Sequence, residues 1–270
     1  MDAHTPISRR PASTRPEDWG VRWQPRPGAA LRLFCLPHSG GGAGPYHSWG
    51  ARLGPEIEVV AIRLPGREAR YRERPISRLD ELVPALVRAL APWLDRPHAW
   101  FGHSMGALIG YEVCRELRRC GLPEPVRLLA SGRRAPHLPA RSRPVHDAPV
   151  ADVVAYLKGL DGTPAELLDN PSALSMLLPT MRADLAVSER YRWQPGPPLD
   201  CPVSVLGGTA DPVATTGELH AWQLHTSAGC TVRMFDGGHF FLHDDPAPVL
   251  RAIAEELSPV STAPRWRPLG

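Results

Sequence analysis

The segment AWFGHSMGALIGYEVCRELRR, residues 99–119, is the most informative stretch of the chain. It begins with a short apolar run typical of a buried strand and ends with apolar residues at helical spacing. Between the two lies G-H-S-M-G, in which Gly102 and Gly106 flank Ser104. A serine on a tight turn needs small neighbours, because its backbone is strained and the helix passes close to the strand. The segment therefore predicts a strand, a sharp turn exposing the Ser104 hydroxyl, and a helix.

Short apolar runs alternate with longer helical patterns on both sides of this turn. The predicted strands cover residues 31–36, 59–64, 99–102, 127–131, 203–207 and 231–235. The predicted helices cover residues 79–94, 105–119, 217–223 and 248–257. This alternation indicates a mainly parallel sheet flanked by helices. With the serine turn at a strand end, it predicts an α/β class chain with the α/β-hydrolase fold.

Three parts of the chain differ in pattern. Residues 1–28 are rich in Arg and Pro and are predicted to be a mobile arm, residues 29–257 the hydrolase domain, and residues 258–270 a tail. Within the domain, residues 145–193 show helical patterns without a strand, with Asp147 expected to cap the first helix. We expect this insert to be a helical lid; the alternative is a helical subdomain with a purely structural role.

Composition excludes several classes of protein. The net charge of +3, from 31 basic and 28 acidic residues, does not indicate a nucleic-acid partner. No apolar run approaches the roughly 18 residues that span a membrane. Five cysteines without CxxC spacing favour a reduced, cytoplasmic setting over a disulfide framework. The histidines and cysteines lack metal-ligand spacing, so no metal site is expected, and nothing indicates an obligate oligomer.

A serine hydroxyl is a weak nucleophile until a base removes its proton. Of the eleven histidines, His239 is best placed, because it directly follows the last predicted strand. His243, four residues later, is the alternative base. His103, beside the nucleophile, is expected to pack against neighbouring loops.

The base needs an acid that fixes its tautomer. Asp211 ends the turn after the strand 203–207, and the order Ser104, Asp211, His239 is the one expected for this fold. Asp236 is the alternative acid, and Asp200, which precedes the strand, is a weaker one.

The negative oxygen of an acyl-transfer intermediate needs hydrogen-bond donors. Met105, directly after the nucleophile, should supply one backbone N–H. The second is expected from Ser39 in the glycine loop, residues 38–44, where glycines let the backbone approach a substrate. A phosphate cradle is the alternative, but this loop lacks the G-x-G-x-x-G phasing and the lysine of a P-loop.

Seven motifs go beyond the fold. They are FCLPHSGGGA (34–43), LPGRE (64–68), GHSMGALIGYEVCREL (102–117), SGRRAP (131–136), LPTMRADLAVSERY (178–191), CPVSVLGGTADP (201–212) and GGHFFL (237–242). In these motifs the chain resembles the discrete type II thioesterases of polyketide synthase and nonribosomal peptide synthetase pathways. The likeness spans residues 33–242, and SGRRAP, MRAD and GGHFFL are not general hydrolase features.

The resemblance implies hydrolysis of acyl groups from the phosphopantetheine arm of acyl or peptidyl carrier proteins, clearing stalled or wrong chains. It places the family's triad on Ser104, Asp211 and His239, and it implies no cofactor beyond the carrier's own phosphopantetheine. The lid would then line an acyl chamber, with Leu174, Met176, Leu177 and Met181 as walls or as ordinary packing positions.

The basic segment Arg63, Arg67, Arg70, Arg72 and Arg74 is expected to meet an acidic carrier protein or to be a solvated loop face. Three other functions stay open. They are a carboxylesterase or lipase acting on free esters, an acyltransferase dedicated to product release, and a catalytically silent binding module.

Overall fold

A seven-stranded sheet forms the centre of the chain in the computed structural model, which describes residues 12–258. The strands are β1 (Gly20–Val21), β2 (Leu31–Leu36), β3 (Ile57–Ile62), β4 (His98–His103), β5 (Arg127–Ser131), β6 (Val203–Gly208) and β7 (Cys230–Phe235). Their order is β1-β3-β2-β4-β5-β6-β7. All neighbours are parallel except β1, which pairs antiparallel with β3. The predicted, mainly parallel α/β-hydrolase sheet is confirmed.

Ten helices accompany these strands among the described residues. They are α1 (Pro16–Trp19), α2 (Trp49–Arg52), α3 (Leu79–Leu90), α4 (Met105–Arg119), α5 (Val150–Leu160), α6 (Ala165–Leu168), α7 (Pro171–Glu189), α8 (Thr216–His220), α9 (Phe241–Asp244) and α10 (Pro246–Leu257). Short 3-10 turns cover residues 44–46, 68–70, 91–93 and 221–225. The predicted bounds of β2, β5 and α4 agree with the structure, and the other predicted elements shift by a few residues.

The sheet is buried on both faces, as the near-continuous apolar strands predict. One core packs α3 and α4 against the sheet and contains Trp100 and Leu108. The other packs α2 and α10 and contains Phe101 and Ile253. Alternate residues of β4 thus point into opposite cores, and its carboxyl end is fixed from both sides.

The hydrolase domain begins before residue 29, which corrects part of the predicted mobile arm. Within residues 12–28, α1 and β1 pack on the edge of the sheet, and the Trp19 side chain is fully buried. A methyl group at Gly20 would come within 2.4 Å of the Trp93 ring, so the contact requires a glycine. Residues 1–11 of the predicted arm, and all of the predicted tail except Ser258, lie outside the described residues.

The insert at residues 145–193 lies between β5 and β6 and contains α5, α6 and α7. It has an apolar core of its own, in which Val153, Leu157 and Leu168 are buried. Asn170 caps α7 by accepting hydrogen bonds from two backbone N–H groups. The predicted cap of α5 is wrong: Pro149 occupies the cap position, and the Asp147 side chain contacts His146.

None of the helices within residues 12–258 combines the length and apolarity needed to span a bilayer. All five cysteines are unpaired, and Cys35, Cys114 and Cys201 are buried.

Candidate active site

Ser104 occupies the turn between β4 and α4. Its backbone has φ 55° and ψ −112°, a strained conformation for a residue with a side chain. The turn is held by the Ser104 N–H, which donates to the Ser131 carbonyl at 2.8 Å. A methyl group at Gly102 would lie 2.1 Å from the Gly106 carbonyl, and one at Gly106 would lie 2.5 Å from the Leu36 carbonyl oxygen. Both glycines are therefore sterically required, and the segment forms the strand, turn and helix of a nucleophile elbow.

Asp211 and His239 meet across the loops that follow β6 and β7. The His239 Nδ1 lies 2.9 Å from the Asp211 Oδ2, and both side chains are buried. An ionised carboxylate only accepts hydrogen bonds, so Nδ1–H donates and Nε2 is left as the basic nitrogen. The other Asp211 oxygen accepts from the Val213 N–H at 2.7 Å.

The alternative acids and the alternative base make other contacts. Asp236 is exposed, and Asp200 forms an ion pair with Arg118 at 3.0 Å. The exposed His243 stacks on Phe240. His103 packs against neighbouring loops as predicted: it is the fully buried last residue of β4, and its ring centroid lies 4.8 Å from that of His239 and 5.4 Å from that of Phe240. Its Nδ1 lies 3.0 Å from the Ser131 Oγ.

Ser104, His239 and Ser39 line one cavity of about 40 Å³. The rest of its wall comes from His38 and Phe240 and from the insert at residues 145–193, which contributes Tyr156, Leu157, Leu160, Gly162, Thr163 and Leu185. Met105, the first residue of α4, directly follows Ser104 and is fully buried. Because the first N–H groups of a helix have no intrahelical acceptor, the Met105 N–H is free of helix bonding.

Two imidazoles beside the cavity, those of His38 and His103, are held neutral. Burial, reinforced by nearby histidines and Arg67, lowers the pKa of His38 to about 3. Burial also lowers the pKa of His103 well below its ordinary value. These rings therefore add polar surface without positive charge at neutral pH.

Two carboxylates that were not among the predicted site residues hold the glycine loop. The Gly40 N–H donates to the Asp184 Oδ2 at 2.8 Å, and the Ala43 N–H donates to the Glu68 Oε1 at 2.9 Å. Within residues 12–258, the Ser39 N–H has no acceptor. The signal for these contacts lay in the LPGRE and MRAD motifs, whose acidic residues are Glu68 and Asp184.

Among residues 12–258, no group of three or more His, Cys, Asp or Glu side chains is arranged to hold a metal ion.

The Thioesterase domain family matches residues 31–257, which is most of the chain. This chain belongs to the thioesterase family. It is a hydrolase acting on thioesters, and the predicted family is confirmed.

Known thioesterases, two of them from named biosynthetic pathways or clusters, resemble this chain over nearly its whole length. Thioesterase PikA5 of Streptomyces venezuelae is 36% identical over 262 residues, covering 97% of this chain and 93% of PikA5. The structure of RedJ, a thioesterase from the prodiginine biosynthetic pathway of Streptomyces coelicolor, is 37% identical, with a TM-score of 0.81 over 95% of this chain and 97% of RedJ. The type II thioesterase BorB from the borrelidin biosynthetic cluster is 36% identical, with a TM-score of 0.81 over 95% of this chain and all of BorB.

The insert of this thioesterase does not present the predicted acyl-chamber walls to the cavity. Met176 is 82% exposed, whereas Leu174 and Leu177 pack partly buried against the lid's own core. Met181 is buried, and its methyl carbon would meet a side chain placed at Gly40. The cavity wall is instead formed by the α5 end of the insert and by Leu185.

The basic segment of the thioesterase is largely paired and not a free cationic surface. Arg63 pairs with Glu68 at 3.3 Å. Arg67 and Arg70 are buried and pair with carboxylates at 2.6 Å. Most of the predicted surface for an acidic carrier protein is therefore absent.

Proposed function

We propose that this thioesterase hydrolyses acyl groups from the phosphopantetheine arm of carrier proteins in a polyketide or nonribosomal peptide assembly line, clearing stalled or wrong chains. The observation that carries the proposal is the buried hydrogen bond from His239 to Asp211 behind a cavity that Ser104 also lines. The kinship with PikA5, RedJ and BorB supports the choice of assembly line.

In the first step, His239 Nε2 takes the Ser104 proton while the Ser104 Oγ attacks the thioester carbonyl carbon. Asp211 stabilises the resulting imidazolium. The carbonyl oxygen becomes an oxyanion that accepts hydrogen bonds from the N–H groups of Met105 and Ser39. The intermediate collapses, the C–S bond breaks, and the imidazolium returns its proton to the leaving phosphopantetheine thiolate.

The second step mirrors the first with water as the nucleophile. His239 removes one proton from water, whose oxygen attacks the acyl-serine ester. The C–O bond to Ser104 breaks, its oxygen regains the proton, and a free carboxylic acid leaves. One thioester and one water thus yield one acid and one thiol.

Substrate entry requires the insert to move. Ligand sites usually measure about 300–1,000 Å³, whereas this cavity holds about 40 Å³. Residues 156–163 of the insert form much of its wall, so an acyl-pantetheine group enters when this segment shifts. The insert then acts as the predicted lid.

The residues named above complete the proposed steps without a cofactor, so the phosphopantetheine of the carrier protein is the one prosthetic group involved. We place the enzyme in the cytoplasm, since all five cysteines are unpaired in a chain with three of them buried.

The test compares kcat/KM for an acyl-pantetheine thioester and the matching oxygen ester, in the wild type and in Ser104→Ala. The proposal expects preferred turnover of the thioester, lost in Ser104→Ala. Preference for the oxygen ester would indicate a carboxylesterase. Transfer of the acyl group to an added alcohol or amine in place of water would indicate a release acyltransferase. Failure of a fluorophosphonate probe to label Ser104 would indicate a silent binding module.

A further inference from the structure

One turn of helix α7 contacts both the loop that follows β3 and the glycine loop. The Thr180 Oγ1 donates to the Gly66 carbonyl at 2.8 Å, on the loop that follows β3. Met181 lies against Gly40, where an added methyl group would meet its terminal carbon at 2.3 Å. Asp184 accepts the Gly40 N–H. Thus the lid and the glycine loop share a polar and an apolar contact.

Arg67 and Asp184 bind each other, and each also binds the backbone of the glycine loop. The Asp184 Oδ1 accepts from the Arg67 Nη2 at 2.6 Å, while its Oδ2 accepts from the Gly40 N–H at 2.8 Å. The Arg67 Nη1 in turn donates to the Gly41 carbonyl at 2.6 Å. The two side chains are 8% and 2% exposed. The pair therefore binds the N–H of Gly40 and the carbonyl of Gly41, two adjacent residues of the loop.

Two hydrogen bonds hold the peptide groups on either side of Ser39, and Asp184 accepts one of them. The peptide group before Ser39 carries the His38 carbonyl, which accepts from the Gly41 N–H at 3.0 Å. The peptide group after it carries the Gly40 N–H, held by Asp184. With φ of 76° at Gly40, residues 38–41 form a β-turn of the kind that needs a glycine at its third position. The direction of the Ser39 N–H is set by this turn.

A buried ion pair is weak evidence of a role in stability, since removing two charges from water costs about as much as their attraction returns. The hydrogen bonds that the pair makes to the Gly40 N–H and the Gly41 carbonyl explain its presence better than a contribution to stability does. We propose that Arg67 and Asp184 are positioning residues that hold the Ser39 N–H in the oxyanion hole, so that helix α7 takes part in catalysis and does more than enclose the acyl chain. The inference rests on the proposed role of Ser104.

The test uses Asp184→Ala, Asp184→Asn and Arg67→Lys. Asp184→Ala removes both acceptors, and it is expected to lower kcat 10- to 100-fold with KM changed less than threefold, since donors displaced by about 1 Å cost this much. Asp184→Asn keeps one acceptor oxygen for Gly40 and is expected to lose less. Arg67→Lys loses its bond to either the Gly41 carbonyl or Asp184, because an ammonium cannot match the guanidinium fork. Its loss of kcat should therefore fall between those of Asp184→Ala and Asp184→Asn.

Glu58→Gln is the matched control. Glu58 is also a buried partner of an arginine, Arg32 at 2.7 Å, but it lies near the amino end of β3, away from the cavity. We expect Glu58→Gln to lower the melting temperature as much as Asp184→Asn while kcat stays within twofold of wild type. Circular dichroism checks that each variant folds; if Asp184→Ala does not fold, Asp184→Asn and Arg67→Lys carry the test.

The inference is overturned if the Asp184 and Arg67 variants lose no more kcat than Glu58→Gln at equal loss of stability, or if KM alone rises. Ser104→Ala separates this failure from that of the proposed function. If Ser104→Ala stays active, the proposed function fails. If it is inactive while the Asp184 and Arg67 variants keep full kcat, only the positioning role fails.

Discussion

The Nδ1 of His239 lies 2.9 Å from the Oδ2 of Asp211, although 28 residues separate them in the chain. The bond orients the imidazole and stabilises its protonated form, so its loss should reduce the rate of reaction more than substrate affinity. We expect Asp211→Asn to lower kcat by about 10³- to 10⁴-fold, as measured with an acyl-pantetheine thioester. Asp236 is exposed and serves as the control, so Asp236→Asn should keep kcat within twofold of wild type. Equal losses of kcat in Asp211→Asn and Asp236→Asn would contradict the assignment of Asp211 as the acid of the triad.

The close approach of α4 to β2 at Gly106 predicts a loss of stability. A methyl group there would come within 2.5 Å of the Leu36 carbonyl oxygen, and neither backbone can withdraw. We expect Gly106→Ala to lower the free energy of unfolding by about 3 kcal/mol or more, measured by denaturant titration. Gly159→Ala, in a helix with open space around that residue, should instead be stabilising by about 0.5–1 kcal/mol. An unchanged free energy of unfolding in Gly106→Ala would contradict the close packing of α4 against β2.

Two buried histidines outside the cavity predict how stability depends on pH. Burial lowers the pKa of His98 to about 4, and burial together with His137 and Arg115 lowers the pKa of His225 to about 4. Below the ordinary histidine value of about 6.5, the unfolded chain therefore binds protons that the folded chain does not. The contribution of these two histidines to the free energy of unfolding is therefore fully present above that pH and is lost as the pH falls.

Each of the two histidines should contribute a slope of up to about 1.4 kcal/mol per pH unit between roughly pH 6 and 5. Denaturation curves at several pH values measure this slope. His98→Gln can donate to the Pro123 carbonyl, as the His98 Nε2 does at 3.1 Å, but cannot take up a proton. Its slope should be smaller than that of the wild type, and an unchanged slope would contradict the account.

The cavity wall predicts which residue of the insert limits the length of the acyl chain. Leu160 lines the cavity with Ser104, whereas Met176 is 82% exposed. Removing most of the Leu160 side chain enlarges the space beside the nucleophile. We expect Leu160→Ala to raise the kcat/KM ratio of long to short acyl chains by about tenfold, measured with a series of acyl-pantetheine thioesters. Met176→Ala should leave the ratio unchanged, and the reverse ranking would favour the walls expected from sequence.

The sheet and the nucleophile turn could be predicted because their signals are local. The strand, Gly102, Gly106 and the helix after Ser104 lie within one continuous segment. The short edge strand β1 could not, because two residues in a proline-rich stretch carry no periodicity. Its position depends on antiparallel pairing with β3 and on the burial of Trp19.

The remaining features depend on contacts between distant parts of the chain. Asp184 reaches Gly40 across 144 positions, and no spacing rule connects them. The helical pattern of α7 predicted a lid helix but not its direction, so Met176 and Met181 looked alike although one faces solvent and the other the glycine loop. The arginines of residues 63–74 likewise gave no sign of their carboxylate partners.

The most direct test of the central claim is release of short acyl groups from a loaded acyl carrier protein, followed by intact-protein mass spectrometry. Wild type and Ser104→Ala are compared across several acyl chains. The account predicts that the acyl mass disappears from the carrier protein with the wild type and persists with Ser104→Ala. Persistence of the acyl mass with the wild type, alongside turnover of simple oxygen esters, would contradict it.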